Sequence, residues 1–248
     1  MNGLARFDWR KRFKFFGRQA RFHYDTERIR NLARSGSHRD AVGGLWDEVG
    51  QLTFGFLRDH GLEPEMQVLD VGCGALRVGI HLIRYLEPQR CYGVDPIVEL
   101  LDAGYEIELI NVGLQHLLPR RHLATTSKFE FDRLSASRPF DVALAQPVFT
   151  HLPLVDLRLC LSKLADQTVP GSKFFATVFH SPDNHSWGRP LVHEPGGITS
   201  YSTRNPYHYR LSDLQRIVDS LPWSFDRLEQ WDHPRGQEMV TFTRTRNS

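Results

Sequence analysis

Two acidic residues and two glycines form the part of the sequence best suited to hold a ligand. Asp70, Gly72 and Gly74 stand together in the run VLDVGCG, and Asp95 comes 21 residues after Gly74. Glycine has no Cβ, so a ligand can approach the main chain closely at this turn. A carboxylate here disfavours a pyrophosphate at the following helix N-terminus, whereas an acid ending the second strand can accept hydrogen bonds from ribose hydroxyls. The pattern predicts a ligand with a ribose and a positive charge but no phosphate.

Phosphate-containing nucleotides fit this turn less well. The dinucleotide fingerprint requires a third glycine where this sequence has Arg77, and no Walker-type lysine follows the turn. Asp70 and Arg77 therefore leave a nicotinamide-dependent dehydrogenase as a weak alternative. A nucleoside with a ribose, a positive charge and no phosphates describes S-adenosylmethionine.

Short apolar runs alternate with helical periodicity after residue 60, which indicates a mostly parallel sheet with helices on both faces. The predicted strands are Met66–Val71, Cys91–Val94, Phe129–Phe131, Asp141–Ala145, Lys173–Phe179, Ser224–Glu229 and Met239–Thr243, the last two as an antiparallel pair. The predicted helices are Ala41–His60, Val78–Leu86, Val98–Leu109, Leu154–Ala165 and Leu211–Ser220. Ligands of such sheets bind beyond the carboxyl ends of the strands, so the glycine turn lies where a ligand is expected.

The basic residues concentrate at the start of the chain. Residues 1–40 carry eleven Lys or Arg against four Asp or Glu, whereas the 248-residue chain as a whole has a net charge of only +2. Trp9, Phe13, Phe16 and Ala20 fall on one face of a helix, which predicts a helix packed on the body. A lid over a substrate pocket and a nucleic-acid or membrane-surface contact are the alternatives for this arm.

Composition and cysteine content place the protein among globular, non-secreted chains. Three cysteines are too few for a disulfide framework, and their spacing shows no zinc motif. No apolar run approaches the roughly 18 residues of a transmembrane helix, and the N-terminus lacks the apolar stretch of a secretory signal. These features predict a cytoplasmic protein without a membrane span.

Four segments in register resemble the class I S-adenosylmethionine-dependent methyltransferases. They are VLDVGCG (68–74), YGVDP (92–96), FDVALAQPVFTHL (140–152) and the Pro170-Gly171 turn before KFFATVF. The resemblance implies a three-layer α/β sandwich around a mostly parallel seven-stranded sheet with an antiparallel last strand. We expect residues 1–60 to form an N-terminal helical cap and residues 61–248 the cofactor-binding domain, with an irregular acceptor-side insertion at about 180–209.

The resemblance also implies roles for individual residues around the cofactor. Those expected to contact S-adenosylmethionine or its product S-adenosylhomocysteine are Asp70, Gly72, Cys73, Gly74, Asp95, Pro96, Gln146 and, for the adenine, Phe131 or Asp132. Asp95 is expected to bind the ribose, and Gln146 to border the cofactor and the methyl acceptor. Whether Arg77 faces the site stays open.

Residues on the acceptor side follow from the chemistry of methyl transfer. A hydroxyl acceptor must lose a proton, and histidine is the usual base near neutral pH. His151, just after the fourth strand, and His208, in the run Tyr207-His208-Tyr209, are the candidates for this base, each with packing as the competing interpretation. Trp46, Phe149, Tyr207 and Tyr209 are the predicted acceptor contacts. No metal is expected, because the histidines of residues 180–193 fit no standard ligand spacing.

The predicted function is methyl transfer to a small molecule with a hydroxyl or amine, such as a sugar or secondary metabolite. The Asn/Asp-Pro-Pro-Tyr/Phe signature of enzymes that methylate exocyclic nitrogens is absent, since Ala-Gln-Pro-Val stands in its place. Methylation of RNA or protein through the basic arm, and a non-catalytic binding or regulatory subunit, are the alternatives. The oligomeric state is left open.

Overall fold

A mostly parallel sheet forms the centre of the computed structural model, which describes residues 26–246. The strands are β1 (Val68–Val71), β2 (Cys91–Asp95), β3 (Leu123–Thr125), β4 (Phe140–Ala145), β5 (Thr168–Ser181), β6 (Leu191–His193), β7 (Ile198–Ser200), β8 (His208–Arg210), β9 (Trp223–Glu229) and β10 (Glu238–Arg244). Of these, β6 and β7 form a separate hairpin, and the others belong to the central sheet. The order across the main sheet is β3-β2-β1-β4-β5-β10-β9, and β10 runs antiparallel to both of its neighbours. The predicted fold class is confirmed.

Helices cover both faces of this sheet. They are α1 (Thr26–Arg34), α2 (His38–Ala41), α3 (Trp46–Asp59), α4 (Gly79–Tyr85), α5 (Val98–Asp102), α6 (Leu109–Asn111), α7 (Leu154–Ala165) and α8 (Leu211–Arg216). Along β1, Leu69 and Val71 join the apolar cluster that contains Leu157 of α7, whereas Val68 joins the cluster that contains Leu82 of α4. Successive strand residues point to opposite faces, so the two clusters are the two interfaces of a three-layer sandwich. Within residues 26–246, every helix is too short or too polar to span a bilayer.

The third strand lies earlier in the chain than predicted. β3 is Leu123–Thr125, paired in parallel with β2, and the predicted strand at 129–131 is wrong. Phe129 adopts a φ of 57°, and Phe131 begins a 3₁₀ turn, yet both rings are buried in the apolar core. Loop residues can bury aromatic rings without strand pairing, which is why a short apolar run misleads.

Two other predicted elements are broken into smaller ones. Gly43 and Gly44, with φ of 92° and 64°, separate α2 from α3, so a single helix over 41–60 is wrong. The stretch at about 180–209, predicted as irregular, contains the hairpin of β6 and β7. At its end, β8 adds a short parallel strand beside Phe179–Ser181 of β5. The amphipathic segment predicted at residues 9–20 lies outside the described residues.

Ion pairs fix the first two helices to the helical segment that follows β2. That segment runs from α5 through a π-helical stretch, Ala103–Glu108, into α6. Glu99 pairs with Arg34 at 2.5 Å. Glu108, only 1% exposed, contacts His38 Nε2 at 2.6 Å and accepts two bonds from the Arg39 guanidinium at 2.6 and 2.7 Å. Helices α1 and α2 are therefore docked on the body by charge as well as by packing.

We expect Glu108→Gln to destabilise the protein by about 2–3 kcal/mol, because a neutral amide offers one acceptor oxygen where the carboxylate serves several donors. The matched variant Glu99→Gln should cost less than about 1 kcal/mol, since its arginine partner Arg34 is mostly exposed. Urea unfolding of both variants measures the difference. Equal losses would contradict the assignment of Glu108 as the main anchor.

Candidate functional site

The turn after β1 has the backbone geometry that its glycines predict. Gly72 and Gly74 adopt φ of 74° and 53°, values that favour glycine. The amides of Gly72 and Cys73 donate to the Val94 carbonyl of β2, at 2.7 and 3.1 Å. The turn is thus held against the neighbouring strand, and its position at the carboxyl end of β1 is where ligands of such sheets bind.

Two buried carboxylates lie beside this turn. Asp95 is 4% exposed and accepts hydrogen bonds from the amides of Gly74, at 3.0 Å, and Ile97, at 2.8 Å. Burial raises its pKa to about 6, against the lowering effect of these two bonds. Asp70 is 3% exposed, and among the described residues no group donates a hydrogen bond to its carboxylate. Burial raises the pKa of Asp70 to about 7, with Arg77 lowering it and Asp95 raising it.

Arg77 faces the site and connects two segments across the turn. Its Nη1 donates to the carbonyls of Val42 and Gly44, both at 3.2 Å, and its Nη2 donates to Oε1 of Gln146 at 2.9 Å. We call residues 42–44, between α2 and α3, the strap. Burial and the nearby Arg235 lower the pKa of Arg77 to about 10, while Asp70 raises it, so the group stays cationic at neutral pH. The strap and the segment after β4 are joined through this one guanidinium.

Two valine side chains pack directly on the glycines. A Cβ placed on Gly72 would lie 2.4 Å from Cγ2 of Val148, and one on Gly74 would lie 2.9 Å from Cγ1 of Val42. The second valine belongs to the strap and the first to the segment after β4. Glycine is therefore required at both positions by the space available as well as by the backbone angle.

A cluster of polar side chains forms where the residue after β4 meets the connection between β9 and β10, and sequence analysis missed two of its members. The post-β4 cluster consists of Gln146, His233 and Arg235. His233 Nδ1 accepts from the Arg235 amide at 3.2 Å, and the Arg235 guanidinium donates to the Gly43 carbonyl of the strap. Burial, with Arg235 and Arg77 nearby, lowers the pKa of His233 to about 3. The available signal was the run HPRG between the last two strands, a turn with two basic side chains.

Of the two candidate bases, His151 lies near this cluster. Its Nδ1 is 2.9 Å from Oδ1 of Asn205. Burial lowers the pKa of His151, the bond to Asn205 raises it, and Arg235 lowers it. A neutral imidazole whose Nδ1–H is held by an amide oxygen presents Nε2 as its basic nitrogen.

His208 belongs to a different group of side chains. Its Nδ1 is 2.8 Å from Oγ of Ser200, and the same hydroxyl is 2.6 Å from Nε2 of His193. All three residues are buried and link the β6–β7 hairpin to β8. The charges that act on His208 come from His185 and Arg210, not from the post-β4 cluster. Its role as a base stays a prediction.

The remaining predicted residues divide between the core and the borders of the site. Phe149 is fully buried, and the Tyr209 hydroxyl donates to the Phe149 and Leu152 carbonyls, so these two rings lie in the core rather than on an accessible wall. Phe131 and Cys73 are also buried, the exposed Asp132 lies on a 3₁₀ turn, and Pro96, Tyr207 and Trp46 are partly exposed. Burial raises the pKa of the Cys73 thiol well above its ordinary value, which argues against a nucleophile.

Comparison with solved structures identifies the fold. Magnesium protoporphyrin IX methyltransferase (ChlM) from Synechocystis PCC 6803, with bound S-adenosylhomocysteine, is similar over 89% of this chain and 100% of that chain, at 14% identity and a TM-score of 0.59. The chain has the class I S-adenosylmethionine-dependent methyltransferase fold.

Two further structures share this methyltransferase fold. The 1,6-didemethyltoxoflavin-N1-methyltransferase of Burkholderia thailandensis, with bound 1,6-didemethyltoxoflavin and S-adenosylhomocysteine, is 18% identical over 88% of this chain and 87% of that chain, with a TM-score of 0.58. The CcbJ methyltransferase from Streptomyces caelestis is 15% identical over 79% of this chain and 89% of that chain, with a TM-score of 0.57. No protein-family model matches the sequence. These similarities show the fold, and the function must be argued from the site.

Proposed function

We propose that the protein is an S-adenosylmethionine-dependent methyltransferase that acts on a small molecule with a hydroxyl or amine. The observation that carries this proposal is the buried Asp70 carboxylate, which has no hydrogen-bond donor among the described residues and lies beside the Gly72–Gly74 turn. Such a group favours a cationic ligand, because a positive charge compensates for its burial. Asp95, on the adjacent strand, can accept ribose hydroxyls on the remaining lone pairs of its oxygens.

The side chains of this protein would contribute to methyl transfer mainly by holding the reactants in place. When bound, S-adenosylmethionine supplies an already activated methyl group, so the protein has to orient the reactants and exclude water. Asp70, the glycine turn and Asp95 would hold the cofactor. His151 would take the proton of a hydroxyl acceptor at Nε2, because its Nδ1 faces Asn205 and its lowered pKa keeps it neutral.

The contacts of the basic arm favour a small acceptor over RNA or protein. Arg34 and Arg39, two of its basic side chains, are paired with Glu99 and Glu108 of the same chain. Charges that are paired internally contribute less to the binding of phosphates. Salt-dependent RNA binding that disappears when residues 1–25 are deleted would instead support the macromolecular alternative.

Calorimetric titration of the full chain with S-adenosylmethionine, S-adenosylhomocysteine and NAD tests the proposed cofactor. We expect saturable binding of the first two and none of NAD, because Asp70 disfavours a pyrophosphate at this turn. An acceptor screen with radiolabelled S-adenosylmethionine then tests turnover. Binding without turnover on any acceptor would favour the non-catalytic subunit, and binding of none of the three would contradict the cofactor site.

The raised pKa of Asp70 predicts that cofactor binding releases a proton. Below its pKa of about 7, this carboxyl is largely protonated in the free protein, and a cationic ligand favours the ionised form. The affinity for S-adenosylmethionine should therefore rise about tenfold per pH unit between about pH 6, above which Asp95 is ionised, and about pH 7, and then level off. Calorimetry in buffers of different ionisation enthalpy counts the proton. Asp70→Asn should bind more weakly, with a pH profile that is flat above about pH 6, where Asp95 is ionised; a flat profile between about pH 6 and 7 in the wild type would contradict the assignment.

A further inference from the structure

The post-β4 cluster contains more hydrogen-bond donors than acceptors. The amide of Gln146 presents Oε1 to Arg77 at 2.9 Å, which leaves its NH₂ group facing Nε2 of His233 at 3.4 Å. On the other side of the imidazole, Nδ1 of His233 accepts a hydrogen bond from the main-chain amide of Arg235 at 3.2 Å. A neutral imidazole has one acceptor nitrogen, so it cannot serve both donors. Turning the Gln146 amide over would place its NH₂ against the Arg77 guanidinium, so two donors would face each other there and one of them would be cationic.

The surplus of hydrogen-bond donors at Gln146 and His233 is buried, and two positively charged side chains lie nearby. Gln146 and His233 are 5% and 4% exposed, so unmatched N–H groups here carry the full cost of desolvation. Arg77 donates to the Val42 and Gly44 carbonyls and to Gln146, whereas Arg235 donates to the Gly43 carbonyl. Within residues 26–246, neither arginine forms an ion pair with a carboxylate. Both guanidiniums therefore lack a directly bonded counter-charge next to the surplus donor.

The cluster lies on the opposite half of the sheet from the ribose-binding carboxylate. Asp95 ends β2, on one side of β1, whereas Gln146 follows β4, on the other side of β1. His233 and Arg235 come from the connection between β9 and β10, the strands beyond β5. A ligand that reaches Gln146 and His233 together thus approaches from the side of β4 and β5.

We propose that Gln146, His233 and Arg235 form an oxyanion site that binds a carboxylate of the methyl acceptor. An oxygen with two or more lone pairs would satisfy the Gln146 NH₂ and a His233 N–H at once, and its charge would compensate for the partly buried guanidinium of Arg235. The inference rests on the proposed function, because it assigns the oxyanion to the acceptor. The cofactor also has a carboxylate, so the test must distinguish these two sources.

Gln146→Glu is the sharpest variant, because it places a carboxylate oxygen of the protein at the position proposed for the ligand. The new side chain can accept from Arg77 and from His233, so we expect the free protein to melt at the same or a higher temperature. The matched control, Gln51→Glu, makes the same change on the exposed surface of α3. A melting temperature of Gln146→Glu clearly below that of the control would contradict the donor surplus.

Binding is measured with benzoate as the probe and benzyl alcohol as its neutral counterpart, on protein saturated with S-adenosylhomocysteine. We expect saturable benzoate binding to the wild type and to Gln51→Glu, at least tenfold weaker binding to Gln146→Glu and Arg235→Gln, and unchanged affinity for S-adenosylhomocysteine in Gln51→Glu and Arg235→Gln. The absence of saturable benzoate binding to the wild type, or equal binding of benzyl alcohol, overturns the proposal.

The source of the carboxylate is decided with 5′-methylthioadenosine, which lacks the carboxylate of the cofactor. If Gln146→Glu weakens S-adenosylhomocysteine but not 5′-methylthioadenosine, the site holds the cofactor carboxylate, and the acceptor proposal is wrong. If the wild type binds neither nucleoside, the proposed function fails, while benzoate titration of the free protein still reports on the oxyanion site.

Discussion

Replacing Asp95 with alanine is expected to weaken S-adenosylhomocysteine binding about a hundredfold, because the proposed ribose site would lose two hydrogen bonds to a buried carboxylate together. The same change leaves the amides of Gly74 and Ile97 without their acceptor, so the glycine turn loses part of its support. We expect stability to fall by about 1–3 kcal/mol with the fold retained. Titration calorimetry measures the affinity, and circular dichroism and urea unfolding measure the fold.

Asp102→Ala is the matched control for this effect. Asp102 lies in α5, directly after the same strand, but its carboxylate is 45% exposed and pairs with Arg120 at the surface. Its removal should leave the affinity unchanged, since it takes no part in the turn. If Asp95→Ala bound S-adenosylhomocysteine as tightly as Asp102→Ala does, the assignment of the ribose site would be wrong.

Gly72→Ala should be the most destabilising single methyl addition in the turn. The φ of 74° costs a non-glycine residue about 1–2 kcal/mol, and the added Cβ would lie 2.4 Å from Val148. Overpacking of this kind typically adds about 1–3 kcal/mol. Gly113→Ala supplies the control, because Gly113 has a φ of 72° and a Cβ added there would meet no atom within 4 Å. The difference between the two variants in urea unfolding isolates the contact with Val148.

A second substitution separates the clash from the backbone strain. Val148→Ala removes the methyl groups that the new Cβ would meet, so Gly72→Ala/Val148→Ala should recover the excess over Gly113→Ala. Double-mutant analysis of unfolding free energies measures this coupling. Equal destabilisation by Gly72→Ala and Gly113→Ala, or no coupling to Val148, would show that the segment after β4 does not rest on the turn.

The parts of the fold that were predictable are those in which local pattern and tertiary role agree. β1, β2 and β4 are buried on both faces and read as short continuous apolar runs, so their positions follow from composition. β3 has only three residues, and Phe129 and Phe131 nearby are more apolar, which drew the predicted strand to the wrong place. β8 is equally short and forms only by pairing with the end of β5.

The difference between local pattern and tertiary contact also explains which half of the site could be predicted. Asp70, Gly72 and Gly74 are adjacent in the chain, and their spacing to Asp95 is set by one strand–helix–strand unit. Gln146 and His233 are separated by 87 positions and meet only because the connection between β9 and β10 folds back over β4. The run HPRG marks a basic turn, but it does not indicate that the partly buried Arg235 meets the segment after β4.

The contacts of Arg77 bear on where the protein can be divided. A cut near residue 60 would separate the strap, with the two carbonyls that solvate this guanidinium, from Gln146 and the glycine turn. A shortened protein beginning at residue 61 would leave Arg77 with Gln146 as its remaining acceptor and without the Val42 and Gly44 carbonyls. The segment from α1 to α3 therefore supports the proposed ligand-binding centre, and fusion or truncation designs should keep it on the same polypeptide as the sheet.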